Sequence, residues 1–181
     1  MTESRTTLVD LLSNACIELF DGYEVMLTNN EQLKNLDEEG INLIALIGLS
    51  DNALRASLTI SVTPDLLTMS FPAPEDSINE GDLKDWLGEL ANQLAGRFKN
   101  KVVPYGRKLE LGIPTVIQGA HLKIDLPKCS KVTKHQFVTE QGGVVELNLS
   151  TLIDDQFVLS EPEEVVDAEP ECLEEGEMLF F

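Results

Sequence analysis

The chain has 181 residues, 43% of them hydrophobic, and sets 32 acidic against 13 basic side chains for a net charge of -19. That length holds one domain, or one domain with a tail, and is enough to bury a core. The charge argues against a surface built for nucleic acid or anionic membrane. Cys16, Cys129 and Cys172 are odd in number, widely spaced and form no C-x-x-C pair. With only His121 and His135 to help them, neither a disulfide framework nor a metal site is expected, and no cofactor. The first residues carry no apolar run of the signal-peptide kind and no stretch reaches membrane-span length, so a cytoplasmic protein without membrane insertion is expected.

Helical spacing of Leu8, Leu11, Leu12, Ala15, Cys16 and Leu19 predicts a first helix over 7–21, with Thr7 and Asp10 in capping-box positions and Asp21-Gly22 as its stop. Cys16 falls on its apolar face and reads as a small core residue. Strands are expected at 23–28, 41–49 and 54–62. The last alternates through Leu54, Ala56, Leu58, Ile60 and Val62, whereas 41–49 is apolar almost throughout and reads as a doubly covered central strand. A short helical turn over 64–69 precedes the rigid Phe71-Pro72-Ala73-Pro74 break. Ser77 and Glu80 then form a start signal for a long helix that Pro104 stops near Val103. Strands follow near 108–118, 120–126, 135–141 and 144–150, with Gly142-Gly143 as a tight hairpin turn between the last two. This order predicts an α+β fold, an antiparallel sheet with two main helices packed on one face. The domain is expected over 1–159. From Glu161 to Glu177 there are nine acids and no base, a composition that cannot form its own core, so 160–181 reads as a flexible acidic tail.

The long helix holds the most informative pattern. At about 100° per residue, Leu83, Trp86, Leu87, Leu90, Leu94 and Phe98 share a continuous apolar stripe. Glu89, Asn92 and Gly96 fall on the opposite side, bordered by Asp82, Asp85 and Lys99. Spacings of three and four residues bring such neighbours to about 5–6 Å at Cβ. An acid and an amide can therefore act on one bound group, while Gly96 leaves the surface between them bare. Trp86, at the edge of the stripe, reads as a core anchor. His121 and His135 read as ordinary strand or loop residues.

Three stretches give the chain a resemblance to the CheX-like chemotaxis phosphatases of the CheC/CheX/FliY group: Ile47-Gly48-Leu49-Ser50, Gly88-Glu89-Leu90-Ala91-Asn92-x-x-Ala95-Gly96, and Leu111-Gly112-Ile113-Pro114-Thr115-Val116-Ile117-Gln118-Gly119. Their order and spacing fit across roughly residues 7–150. E-x-x-N alone is a weak signal, since Glu39-Gly40-Ile41-Asn42 also satisfies it, but that copy leads into a strand and cannot present both side chains as a helix does. The resemblance implies a phosphatase, a hydrolase acting on the aspartyl phosphate of a CheY-like response regulator in chemotaxis or a related two-component circuit. It implies Glu89 pairing with the receiver domain's lysine, Asn92 orienting the attacking water, and Asp85, Gly96 and Lys99 at the partner contact. The Mg²⁺ would belong to the receiver, and a homodimer is implied. Two departures stand out. The 64–69 helix is shorter than the family's, and the first helix offers no second E-x-x-N, so one active centre per chain is expected.

A different reading makes the same helix the docking face of a catalytically silent scaffold for receiver domains or other signalling proteins, with the Met178-Leu179-Phe180-Phe181 end as a docking peptide. From composition alone, removal of 161–181 is expected to leave the melting temperature of the domain within about 2 °C, measured by calorimetry.

Overall fold

The computed structural model describes residues 2–30, 41–73, 78–120, 122, 130–154 and 157–162. Among the described residues seven strands form one antiparallel sheet. They are β1 (Thr28–Asn29), β2 (Ile41–Ser50), β3 (Leu54–Val62), β4 (Glu110–Leu111), β5 (Thr115–Ala120), β6 (Lys131–Val138) and β7 (Val144–Ile153), in spatial order β1-β6-β7-β3-β2-β4, with β5 also paired to β2. Among the described residues the α-helices α1 (Thr2–Asp21), α2 (Pro64–Ser70) and α3 (Glu80–Val102) complete the expected α+β architecture.

The core follows from which residues each element can hide. Leu8, Leu12, Ala15, Cys16 and Leu19 of α1 are buried with Leu87, Leu90, Leu94 and Phe98 of α3 and with Ala45, Ile47, Leu58, Ile60, Val145 and Leu147 of the sheet. Burial in this apolar setting pushes the Cys16 thiol well above its ordinary value, so it stays protonated. The expected doubly covered strand is corrected. Along β2, Leu43, Ala45, Ile47 and Leu49 are buried while Ile44, Leu46, Gly48 and Ser50 are only half-buried, the alternation of a sheet with helices on one face.

The opposite face carries polar side chains that satisfy one another. The Lys134 ammonium lies 2.7 Å from Glu146 Oε2, which also accepts from Gln136 Nε2 at 2.8 Å. Asn148 Nδ2 donates to Glu146 Oε1 at 3.2 Å, and Asn30 Nδ2 to Gln136 Oε1 at 3.2 Å. Next to Asn148 in register sits Thr59, whose buried Oγ1 has no hydrogen-bond partner among the described residues.

Several boundaries depart from expectation for identifiable reasons. No glycine or proline interrupts residues 2–7, so α1 begins at Thr2 and encloses Thr7 and Asp10 instead of being capped by them. The strand expected at 23–28 is reduced to β1. The preceding backbone closes α1, with Tyr23 N and Val25 N donating to Phe20 O and Glu24 N to Asp21 O. Ser77 lies outside the described residues. The start of α3 is a capping box two residues later, Asn79 Oδ1 accepting from Gly81 N and Asp82 N while Asp82 Oδ2 accepts from Asn79 N.

After α3 the chain passes through a 3-10 turn at Val103–Tyr105 and Gly106 at φ 75°. The strand expected at 108–118 is split into β4 and β5 around Gly112-Ile113-Pro114, both pairing with β2. Gly112 N still donates to Gly48 O at 2.8 Å, but Pro114 has no N–H to continue the ladder. The strand expected at 120–126 falls mostly outside the described residues, as does the acidic segment beyond 162. The β6–β7 hairpin closes through five residues, 139–143, and not a two-residue turn, with Gly142 at φ 92°.

The chain after β7 is clasped to the domain. Phe157 is buried under the Arg107 guanidinium, which lies 4.5 Å from the ring centroid. Arg107 also donates through Nε to Val158 O at 3.0 Å and pairs with Asp51 at 3.4 Å. Ser160 N donates to Tyr105 O at 3.0 Å. Phe157→Ala is therefore expected to cost about 3–5 kcal/mol in chemical denaturation, because it empties a core site and removes the surface on which Arg107 rests.

Candidate active site

α3 is packed by its apolar stripe, and that packing orients everything else on it. Trp86, Leu87, Leu90, Ala91, Leu94, Ala95, Phe98 and Val102 are buried. Trp86 holds the expected anchor position, its Nε1 donating to Ser70 Oγ at 3.0 Å. Phe71 and Tyr23 meet its ring edge-on at centroid distances of 5.6 and 5.1 Å. At the other end of the helix Lys101 reaches Glu18 of α1 at 2.7 Å.

The face turned away from the core gathers the residues expected there. Asp85, Glu89 and Asn92 are exposed, and Gly96 and Lys99 half-buried. Their spacing of three and four residues on one helix brings all five together as a continuous strip. The two glycines of the helix differ in what surrounds them. A Cβ built on Gly88 would lie 3.3 Å from Val116 Cγ2, so its absence lets α3 approach β5. A Cβ on Gly96 would meet nothing within 4 Å among the described residues. Among the described residues nothing needs that position to be bare, and the flat surface it leaves faces away from the core.

Sequence inspection missed two residues of this face. Glu89 Oε1 accepts a hydrogen bond from Gln93 Nε2 at 2.8 Å, and Gln93 Oε1 accepts one from the Tyr23 hydroxyl at 2.8 Å. The Glu89/Gln93 contact has the i, i+4 spacing that a sequence can reveal. The Tyr23 contact joins residues 70 positions apart and leaves no local signal. Beside the strip, Lys84, Asp85, Gly88, Pro114, Val116 and Gln118 line a groove of about 460 Å³, and Ile113, which precedes Pro114 in the chain, is 89% exposed.

The strip offers an anionic carboxylate and a neutral amide on a rigid support. Among the described residues no group of three or more His, Cys, Asp and Glu is placed to hold a metal ion. His135 lies on β6 with Nδ1 3.5 Å from Ser13 Oγ of α1, and His121 lies outside the described residues. Of the second E-x-x-N, Asn42 belongs to β2 and Glu39 lies outside the described residues. Such an arrangement has the chemistry to accept a cation at the acid and to hydrogen-bond a water at the amide.

A family model described as chemotaxis phosphatase CheX matches residues 43–138, a span that contains α3 whole. The fold is shared with solved structures. A CheC-like superfamily protein from Shewanella sp. PV-4 is 18% identical with a TM-score of 0.67, covering 80% of this chain and 97% of its own. Chemotaxis protein CheX from Vibrio vulnificus is 16% identical with a TM-score of 0.65, covering 80% and 96%. CheX of Borrelia burgdorferi, crystallised in a complex with CheY, BeF3 and Mg²⁺, is 17% identical with a TM-score of 0.61, covering 79% and 96%. No curated protein sequence matches. Gly96→Ala is expected to stabilise the domain by about 0.5–1 kcal/mol, and Gly88→Ala to gain less because Val116 must give way. Parallel guanidinium unfolding of the two variants checks that order.

Proposed function

The chain belongs to the CheX family of chemotaxis phosphatases, and on that premise we propose that it hydrolyses the aspartyl phosphate of a CheY-like receiver domain through Glu89 and Asn92. One observation carries this reading. An exposed acid and an exposed amide stand one turn apart on a helix whose other side is locked in the core, with the bare Gly96 beside them.

An aspartyl phosphate in a receiver needs little from its phosphatase beyond an aligned water, because positioning and electrostatics dominate phosphoryl transfer. Mg²⁺ on the receiver spreads the negative charge of the phosphoryl oxygens. The Asn92 amide holds the water in line with the phosphorus and, being uncharged, does so without titrating. The water oxygen bonds to phosphorus, the bond to the aspartate oxygen breaks, and inorganic phosphate leaves with the carboxylate regenerated. Glu89 pairs with the receiver's lysine and sets the depth and angle at which the helix enters. Gly96 lets the partner backbone come close, and Asp85 and Lys99 flank the contact. The structural neighbour crystallised with CheY supports a receiver as the partner, and two copies of the chain are expected to associate as a homodimer.

The test is the lifetime of phosphorylated receiver domains with and without substoichiometric protein. Asn92→Ala is expected to reduce turnover about 100-fold or more while regulator binding stays within a few fold. Glu89→Ala is expected to weaken both. Equal and small effects of the two changes would sink the catalytic assignment. Binding without acceleration on every regulator tried would establish the silent docking module in its place.

A further inference from the structure

We infer that Gln93 and Tyr23 are positioning residues that preset the Glu89 carboxylate for its partner's cation, a step that rests on the function proposed above. A glutamate on an exposed helix face samples many rotamers, and each must be given up when a cation binds. Here the side chain has a fixed neighbour on the next turn. Gln93 donates Nε2 to Oε1 at 2.8 Å, which leaves Oε2 for a ligand.

The orientation of the Gln93 amide follows from the chemistry of its neighbours. A carboxylate only accepts hydrogen bonds, so the side of the amide facing Glu89 must be its NH₂. The carbonyl is then turned to Tyr23, and the phenol must donate, as the 2.8 Å contact to Oε1 requires. Tyr23 is itself held. Its backbone N–H bonds to Phe20 O at the end of α1, and its ring meets the buried Trp86 edge-on at 5.1 Å and 83°. A relay therefore runs from the core through Trp86, Tyr23 and Gln93 to one oxygen of Glu89.

The residue type at 93 is as informative as its position. A lysine four residues after a glutamate gives the more favourable helix pair in isolation. It would also neutralise the carboxylate and compete with an incoming lysine. A glutamine orients the acid and leaves its full charge for the partner.

The experiment compares Tyr23→Phe, Gln93→Ala and Gln93→Lys in the otherwise intact chain and again in a Glu89→Ala background. It measures kcat and KM for phosphorylated receiver, receiver affinity and melting temperature. Tyr23→Phe keeps the ring against Trp86 and removes only the hydroxyl. Tyr23→Phe and Gln93→Ala are expected to lower kcat/KM by about 3- to 10-fold, through KM and receiver affinity more than kcat, with little change in melting temperature. Gln93→Lys is expected to lose more. In the Glu89→Ala background all three should change receiver affinity by less than about twofold, since residues that act only through Glu89 have nothing left to act on. Losses of the same size in both backgrounds would overturn the relay in favour of a general structural role. Unaltered kcat/KM in the variants, with Glu89→Ala and Asn92→Ala impaired, would overturn it while leaving the phosphatase reading intact. Indifference of turnover to Glu89→Ala and Asn92→Ala would overturn that reading, and the relay with it.

Discussion

The burial of one stripe of α3 is the constraint from which the rest of the site follows. A helix has a single rotation about its axis to choose, and here Leu87, Leu90, Leu94 and Phe98 choose it by filling the space between α1 and the sheet. Once they are seated, Glu89, Asn92 and Gly96 can face only outward. The Asn79 and Asp82 box fixes where the helix begins, and the Lys101 to Glu18 pair ties its far end to α1. Precision of the outer strip is thus obtained from packing the strip takes no part in. Sites on such elements hold their geometry better than sites on loops.

The same logic explains what could be read from the residues alone. The α3 face was legible because a 3.6-residue period has one solution over so long an apolar pattern, and β3 was legible to the residue because Leu54 to Val62 alternate without interruption. β2 misled because Ile44, Leu46 and Gly48 look as buried as their neighbours, although among the described residues no second layer of helices covers them. Thr7 and Asp10 fit a cap, but nothing before them stops a helix, so the cap went unused. Tyr23 looked like part of a strand because composition is silent on the carbonyls at the end of α1 that its segment must satisfy. The Tyr23 to Gln93 contact needed the docking of α1 against α3 before it could exist.

The acidic character of the chain fits the proposed chemistry better than it first suggests. A working surface that receives a partner's lysine gains from a carboxylate whose charge stays uncompensated. Asp85 lies on the same strip as Glu89, and Gln93, the neighbour that holds the acid, is neutral. Lys99 lies nearly three turns farther along the helix than Glu89. Such charges act more on encounter and orientation than on final affinity.

The polar layer on the face of the sheet turned away from α1 and α3 has a consequence for how the strands find their alignment. Sliding β7 by one residue against β3 would carry Glu146 and Asn148 beneath the helices and turn Leu147 and Leu149 out to solvent. Lys134 and Gln136 would lose their carboxylate at the same time. Wrong alignments thus bury charge without partners, an error several times more costly than an imperfect apolar fit. The Lys134, Gln136, Glu146 and Asn148 cluster acts as a ruler for the sheet.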